Sequence, residues 1–279
     1  MPFTVSHAAA VLPLKMFRPR WFSLTGLMAG AMAPDLIYFL LMQTTHRGVS
    51  HSWPGLFVFC LPAGVVFSFT FQWLFKQPVI YHLPRPLDRR LSGLTDQPFR
   101  VRGVRAWVVL VSSVLIGALS HFAWDSFTHG AGEMVKLFPV LNQSLTLFGV
   151  TRSLCRFLQH LSTISGAVAL GVFALKSRFI PPPATSRTGR TPGQKLRFWL
   201  LGGIASTLFA VLVVVCFDRM YDLHAAKDLT QYDVVSAFGL AGWAGFFYYS
   251  CLVGLFTSRR RSEPVRRAAL ARWKKEQET

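Results

Sequence analysis

Six stretches of the chain, approximately 22–42, 53–75, 104–124, 157–176, 197–217 and 234–257, are apolar over the length at which a helix crosses a hydrocarbon layer, roughly 20 residues. No other feature constrains the fold as strongly. A chain inside lipid must satisfy its backbone hydrogen bonds internally, and α-helices do so within each segment. The expected fold is all-α: a polytopic membrane helical bundle of about six transmembrane helices. A short N-terminal apolar helix over 3–14 precedes them and is too short to span.

Composition agrees. The 279 residues are 52% hydrophobic and 15% charged, against ~25% charged for an average soluble domain. A net charge of +18 raises the question of nucleic acid, but the Lys and Arg residues sit in short clusters between apolar stretches rather than on a basic and aromatic soluble module. If six spans alternate, 24 of the 30 basic residues fall on one side. That side is expected to be the cytoplasm. Both termini are then cytoplasmic in a bacterial inner membrane, and residues 46–52 and those following Asp125 face outward. The partners expected are membrane lipids, with no nucleic acid. Cys60, Cys155, Cys216 and Cys251 show no C-x-x-C spacing, so small buried side chains are expected rather than a disulfide or thiolate framework. No basic n-region precedes the first apolar stretch, so no cleaved signal peptide is expected.

The expected organisation is a motif-bearing membrane region over 1–176, a Pro/Gly/basic linker over 177–196 opened by Pro181-Pro182-Pro183, a C-terminal helical pair over 197–257 and a basic cytoplasmic tail over 258–279.

Within the front part lie ionisable residues that lipid tolerates poorly unless they pair, line a wet cavity or bind a metal. His121 and Asp125 are four apart and share a helix face. His129 continues that face if the helix persists as far as Gly130. His46 and His51 flank Gly48, which permits a turn bringing both rings inward. Arg47 between them is a bidentate partner for a phosphate or carboxylate. Asp35 follows Pro34 inside the first span, where proline breaks the helical hydrogen bonding, and no Lys or Arg lies near it. His7 sits in the N-terminal apolar segment and reaches the others only if that segment enters the bilayer. His160 at the start of the fourth span reads as packed or as an outer partner. Each residue alone has a plain structural reading, such as a helix-locking hydrogen bond. Imidazole with carboxylate is also the ligand set of hydrolytic zinc centres.

The order His7 … Pro34-Asp35 … His46-Arg47-Gly-x-Ser-His51-Ser52 … Ser120-His121-x-x-x-Asp125 resembles the YdjM-like group of membrane-bound metal-dependent hydrolases. The opening Met-Pro-Phe-Thr-Val-Ser-His-Ala-Ala-Ala-Val-Leu-Pro is similar to a bacterial membrane family known only as a domain of unknown function. The motif likeness covers roughly the first 140 residues. It implies a multi-span helical protein with a divalent metal site at His7, Asp35, His46, His51, His121 and Asp125. The broader group often reads P-D-x-D-H, whereas Leu36, Ile37 and Tyr38 follow Asp35 here, so two ligand positions of that pattern are missing.

The expected function is metal-assisted hydrolysis of a lipid or phosphoester, with zinc as the metal. His46, His51 and His121 are the primary ligands, and Asp35 or Asp125 completes the set. The spare carboxylate is the general base, and Arg47 steadies an anionic group. The alternatives are a transporter or proton/cation-handling protein built on the same His/Asp cluster, or a non-enzymatic membrane scaffold.

Overall fold

A computed structural model of the protein describes residues 4–18, 20–41, 48–96, 99–147, 149–176, 190–221 and 238–257. His46 and Arg47, residues 177–189 of the expected linker and the tail from 258 lie outside the described residues.

The chain begins with a 3-10 helix, Thr4–Val11, that runs into α1 (Leu12–Phe17). Next come α2 (Leu24–Met32), a 3-10 turn at Ala33–Asp35 and α3 (Leu36–Leu41). They are followed by α4 (Trp53–His82) and α5 (Leu87–Asp96), then α6 (Gly103–Thr128) and α7 (Glu133–Leu137). A two-stranded antiparallel hairpin, β1 (Ser144–Leu147) and β2 (Val150–Ser153), leads into α8 (Leu154–Lys176). The last two helices are α9 (Pro192–Tyr221) and α10 (Phe238–Thr257).

Among the described residues, five helices are long and apolar enough to cross a membrane: Trp53–His82, Gly103–Leu137, Leu154–Lys176, Pro192–Cys216 and Phe238–Thr257. This is an all-α membrane protein. The first expected span, 22–42, is a shorter apolar helix at Leu24–Leu40, and its middle is a 3-10 turn. Pro34 explains the break, because it lacks the N–H that a regular helix would use and its ring crowds the preceding turn. Pro62 and Pro78 act likewise in α4. Each stands just after a widened π-helical stretch, Leu56–Cys60 or Phe71–Phe75, the usual local answer to a lost i→i−4 bond.

The described residues form two compact units, one within 1–69 and 100–178 and the other within 70–99 and 179–279. In the first unit α2 packs closely on α6 through small residues. A Cβ added at Gly30 would strike the Val114 backbone, and one at Gly117 would strike Leu27 and Ala31. Gly26-x-x-x-Gly30 on α2 is the small-xxx-small pattern by which membrane helices approach backbone to backbone. Ser113 Oγ accepts the Ser23 amide at 2.9 Å and fixes the start of α2 on the flank of α6. The N-terminal 3-10 helix packs on α2, α6 and α8. Ser6 Oγ donates to the Thr163 carbonyl at 2.8 Å, and Gly166 leaves room for the Ser6 backbone. In the second unit the buried Lys195 ammonium pairs with the buried Asp88 carboxylate and donates to the Leu83 carbonyl at 2.7 Å. Phe198 stacks on the His82 ring at 4.2 Å.

Candidate metal centre

His121 and Asp125 lie one turn apart on the inner face of α6, and both are buried. The close α2–α6 approach puts the Ala31 carbonyl 2.8 Å from His121 Nδ1. A carbonyl only accepts, so Nδ1 carries the proton, and in the neutral ring Nε2 is the lone-pair atom. That Nε2 lies 3.6 Å from Asp35 Oδ1 and 3.5 Å from Asp125 Oδ2.

Asp35 comes from the Pro34 turn and is 1% exposed. Thr4 Oγ1 donates to its Oδ2 at 2.9 Å, so the N-terminal segment orients one carboxylate oxygen and leaves the other facing the histidines. His51 follows the turn at Gly48–Ser50. The Ser50 hydroxyl and His51 Nδ1 share a hydrogen bond at 3.0 Å, and Cys60 Sγ donates to the Ser50 carbonyl at 3.1 Å. His51 Nε2 sits 3.6 Å from Asp35 Oδ1 and 3.7 Å from Asp125 Oδ2.

The N-terminal 3-10 helix carries His7 into the same place. Its ring stacks on His121 with centroids 4.1 Å apart, and its Nε2 is 3.9 Å from Asp125 Oδ1. Burial, reinforced by the neighbouring His121 ring, pushes the His7 pKa down to about 4, so this imidazole is neutral at pH 7. At the C-terminal end of α6, His129 Nδ1 is 3.3 Å from Asp125 Oδ1, and His129 Nε2 is 3.0 Å from the Gln159 amide nitrogen on α8. With the amide donating to Nε2, the His129 proton lies on Nδ1, toward Asp125.

His7, Asp35, His51, His121 and Asp125 therefore meet, and His129 adjoins them. His46 and Arg47 are outside the described residues. Of the two neighbours at the head of α8, His160 is exposed and Gln159 is buried. Gln159 and Thr4 were not singled out from the sequence, whereas Ser50, read from its place beside His51 as an outer hydrogen-bond partner, does contact that ring. Gln159 is one of few polar residues in its apolar stretch, a signal available but overshadowed by the adjacent histidine.

The imidazole nitrogens of His7, His51 and His121 stand 3.5–3.9 Å from the carboxylates of Asp35 and Asp125, beyond ordinary hydrogen-bond length. His7 Nδ1, Asp35 Oδ1, His51 Nε2, His121 Nε2 and Asp125 Oδ1 are all buried without a hydrogen-bond partner among the described residues. Such atoms are costly unless something satisfies them. One ligand atom from each of Asp35, His51 and His121 lies within 4.8 Å of the others, and the same holds for His7, His121 and Asp125. Nitrogen and oxygen donors at such separations suit a small divalent cation, with zinc–donor distances of ~2.0–2.2 Å.

A family described as a domain of unknown function (DUF4184) matches residues 1–256. No curated protein and no solved structure matches the chain. The chain belongs to the DUF4184 family.

Proposed function

We propose that this family member is an integral-membrane metal-dependent hydrolase, with zinc held by ligands from His7, Asp35, His51, His121 and Asp125, acting on a lipid or phosphoester. The observation that carries the reading is that five residues with buried, unpartnered donor atoms meet in two overlapping groups, Asp35–His51–His121 and His7–His121–Asp125. They come from the N-terminal segment, the Pro34 turn, the turn before α4 and the inner face of α6. A cluster serving only to lock helices together would close its hydrogen bonds at ~2.7–3.2 Å. Here the imidazole nitrogens stand 3.5–3.9 Å from the carboxylates of Asp35 and Asp125.

A divalent ion bound there would lower the pKa of water toward neutrality and polarise a scissile group. The protein's own residues supply the rest. The Ala31 carbonyl fixes the His121 tautomer, and such outer partners set ring orientation and donor strength. Thr4 does the same for Asp35 through its hydrogen bond to Oδ2, and His129 stands beside Asp125. Whichever carboxylate stays free of the ion is the base that accepts a proton from water. Arg47 remains assigned to an anionic substrate group. The basic loops favour an inner-membrane orientation with cytoplasmic termini.

The test is elemental analysis of detergent-purified wild type beside His51→Ala and His121→Ala, with turnover of phosphoesters in mixed micelles. Zinc and turnover present in wild type and lost together in both variants are expected. A folded wild type that binds no divalent metal overturns the assignment. Metal binding with cation flux in sealed vesicles and no hydrolysis transfers it to the transporter.

A further inference from the structure

The hairpin between α6 and α8 has no part in the metal reading. In its register Ser144 faces Ser153, Leu145 faces Arg152, Thr146 faces Thr151 and Leu147 faces Val150. Side chains alternate along a strand, and cross-strand partners share a face. One face therefore carries four hydroxyls, from Ser144, Thr146, Thr151 and Ser153, with Thr146 and Thr151 hydrogen-bonded at 2.8 Å. The other carries Leu145, Leu147, Val150 and Arg152. Both faces are largely open among the described residues: Leu145 is 40% exposed, Leu147 41% and Val150 51%, and of the strand residues only Ser153, beside Cys155, is half-buried. Just before the hairpin, Leu137 (68%), Phe138 (53%) and Val140 (53%) are open as well. A lone two-stranded hairpin is marginal in water, and here its apolar half has no protein core to join.

We propose that this hairpin lies in the membrane–water boundary, with Leu145, Leu147 and Val150 facing the acyl chains, the hydroxyl face turned to water, and Arg152 reaching lipid phosphates. Two observations select lipid as the occupant. The first is continuity with the membrane surface. The chain arrives from α6 and departs into α8, both apolar and of membrane length. The contact between Gln159 and His129 closes this excursion at its base. The Leu154 amide bonds the Gln143 carbonyl at 3.0 Å, which closes the hairpin at the point where it runs into α8. The second is charge. Arg152 is the only charged residue of the strands and stands on the apolar face. A long cationic side chain there keeps its stem in the apolar layer and its guanidinium at phosphate level. The inference rests on the membrane assignment and not on the metal. Its bearing on the site is depth: Asp125 lies one turn, ~6 Å, below His129, so a hairpin seated at the boundary holds the imidazole–carboxylate cluster within reach of a lipid headgroup.

The test uses the full chain in vesicles of phosphatidylcholine and phosphatidylglycerol, with Cys216→Ser and Cys251→Ser as background. Nitroxide labels are attached through Leu147→Cys and Val150→Cys on one face and through Thr146→Cys and Thr151→Cys on the other. Labels at 147 and 150 should collide preferentially with oxygen, and those at 146 and 151 with a water-soluble nickel chelate, the ratio differing several-fold between faces. Arg152→Glu should move the 147 label toward the nickel-accessible value. Nickel preference at all four positions places the hairpin in water and overturns the proposal. So does shielding of 147 and 150 from both agents, which means that protein covers the face. Should one apolar-face variant fail to fold, by circular dichroism, Leu145→Cys reads the same face.

Discussion

His121 donates its Nδ1 proton to the Ala31 carbonyl across the α2–α6 contact, at 2.8 Å. Here the two backbones approach through Gly30 and Gly117, where an added Cβ would strike the facing helix. The aim of the His121 ring is thus set by Gly30 and Gly117, which carry no functional group.

Gly30→Ala and Gly117→Ala should therefore damage the centre at a distance. Each added methyl meets backbone, of Val114 in one case and of Leu27 and Ala31 in the other. Overpacking of this kind costs ~1–3 kcal/mol. The expected outcome is a lower midpoint of thermal unfolding in detergent together with reduced bound metal. Gly171→Ala is the control, because nothing lies within 4 Å of its new methyl. A Gly30→Ala protein with wild-type melting and wild-type metal content would refute the link.

Gln159→Met should weaken metal binding while leaving helical content unchanged. It removes the partner at 3.0 Å that fixes the His129 ring beside Asp125. Outer partners of metal ligands are worth ~10–100-fold in affinity, measurable by competition with a zinc chelator. An unchanged dissociation constant would show that His129 and Gln159 are packing only.

His7 gives a pH signature in the metal-free protein. Its folded pKa is held down at about 4, against 6.5 for the free side chain, by burial and then by His121. The unfolded chain takes up the proton first, so this residue lowers stability as pH falls from 6.5 toward 4 and adds nothing above that window. His7→Phe should remove this contribution. The difference between wild-type and variant unfolding free energies should be flat above pH 7 and should fall, to the disadvantage of wild type, between 6.5 and 4. Parallel curves would count against it.

In the second unit, Asp88→Ala leaves the Lys195 ammonium buried without its carboxylate. Breaking such a pair costs ~3–5 kcal/mol. Replacing both residues, Asp88→Leu with Lys195→Met, should recover most of the loss in thermal unfolding. A double variant no better than the single would show that the Leu83 carbonyl contact, not the ion pair, holds Lys195.

The membrane helices were readable because hydropathy and length are properties of each segment alone. The shortening of the first span was partly visible in Pro34, whose effect on α2 depends on the 3-10 turn it enforces. His121 and Asp125 stood on one face by spacing, but their meeting with His7 could not be read from local sequence. It depends on the N-terminal segment entering between α2, α6 and α8, where Ser6 and Gly166 make room for it. The hairpin was hidden for a related reason. Four-residue strands around Gly149, which has a φ of 79°, give too short an alternation to stand out between two long apolar stretches. Gln159 escaped notice because a neutral amide carries no charge to mark it.

The interleaving of donors along the chain also dictates an order of assembly. Synthesis delivers His7 and Asp35 long before Asp125, and Gln159 later still. The nascent protein must therefore hold unsatisfied imidazole and carboxyl groups at or inside the bilayer until the fourth long apolar stretch, counting the Pro34-broken one, leaves the ribosome and docks. Truncations ending before residue 159 should accordingly be poor clients of the insertion machinery and ready substrates for membrane proteases.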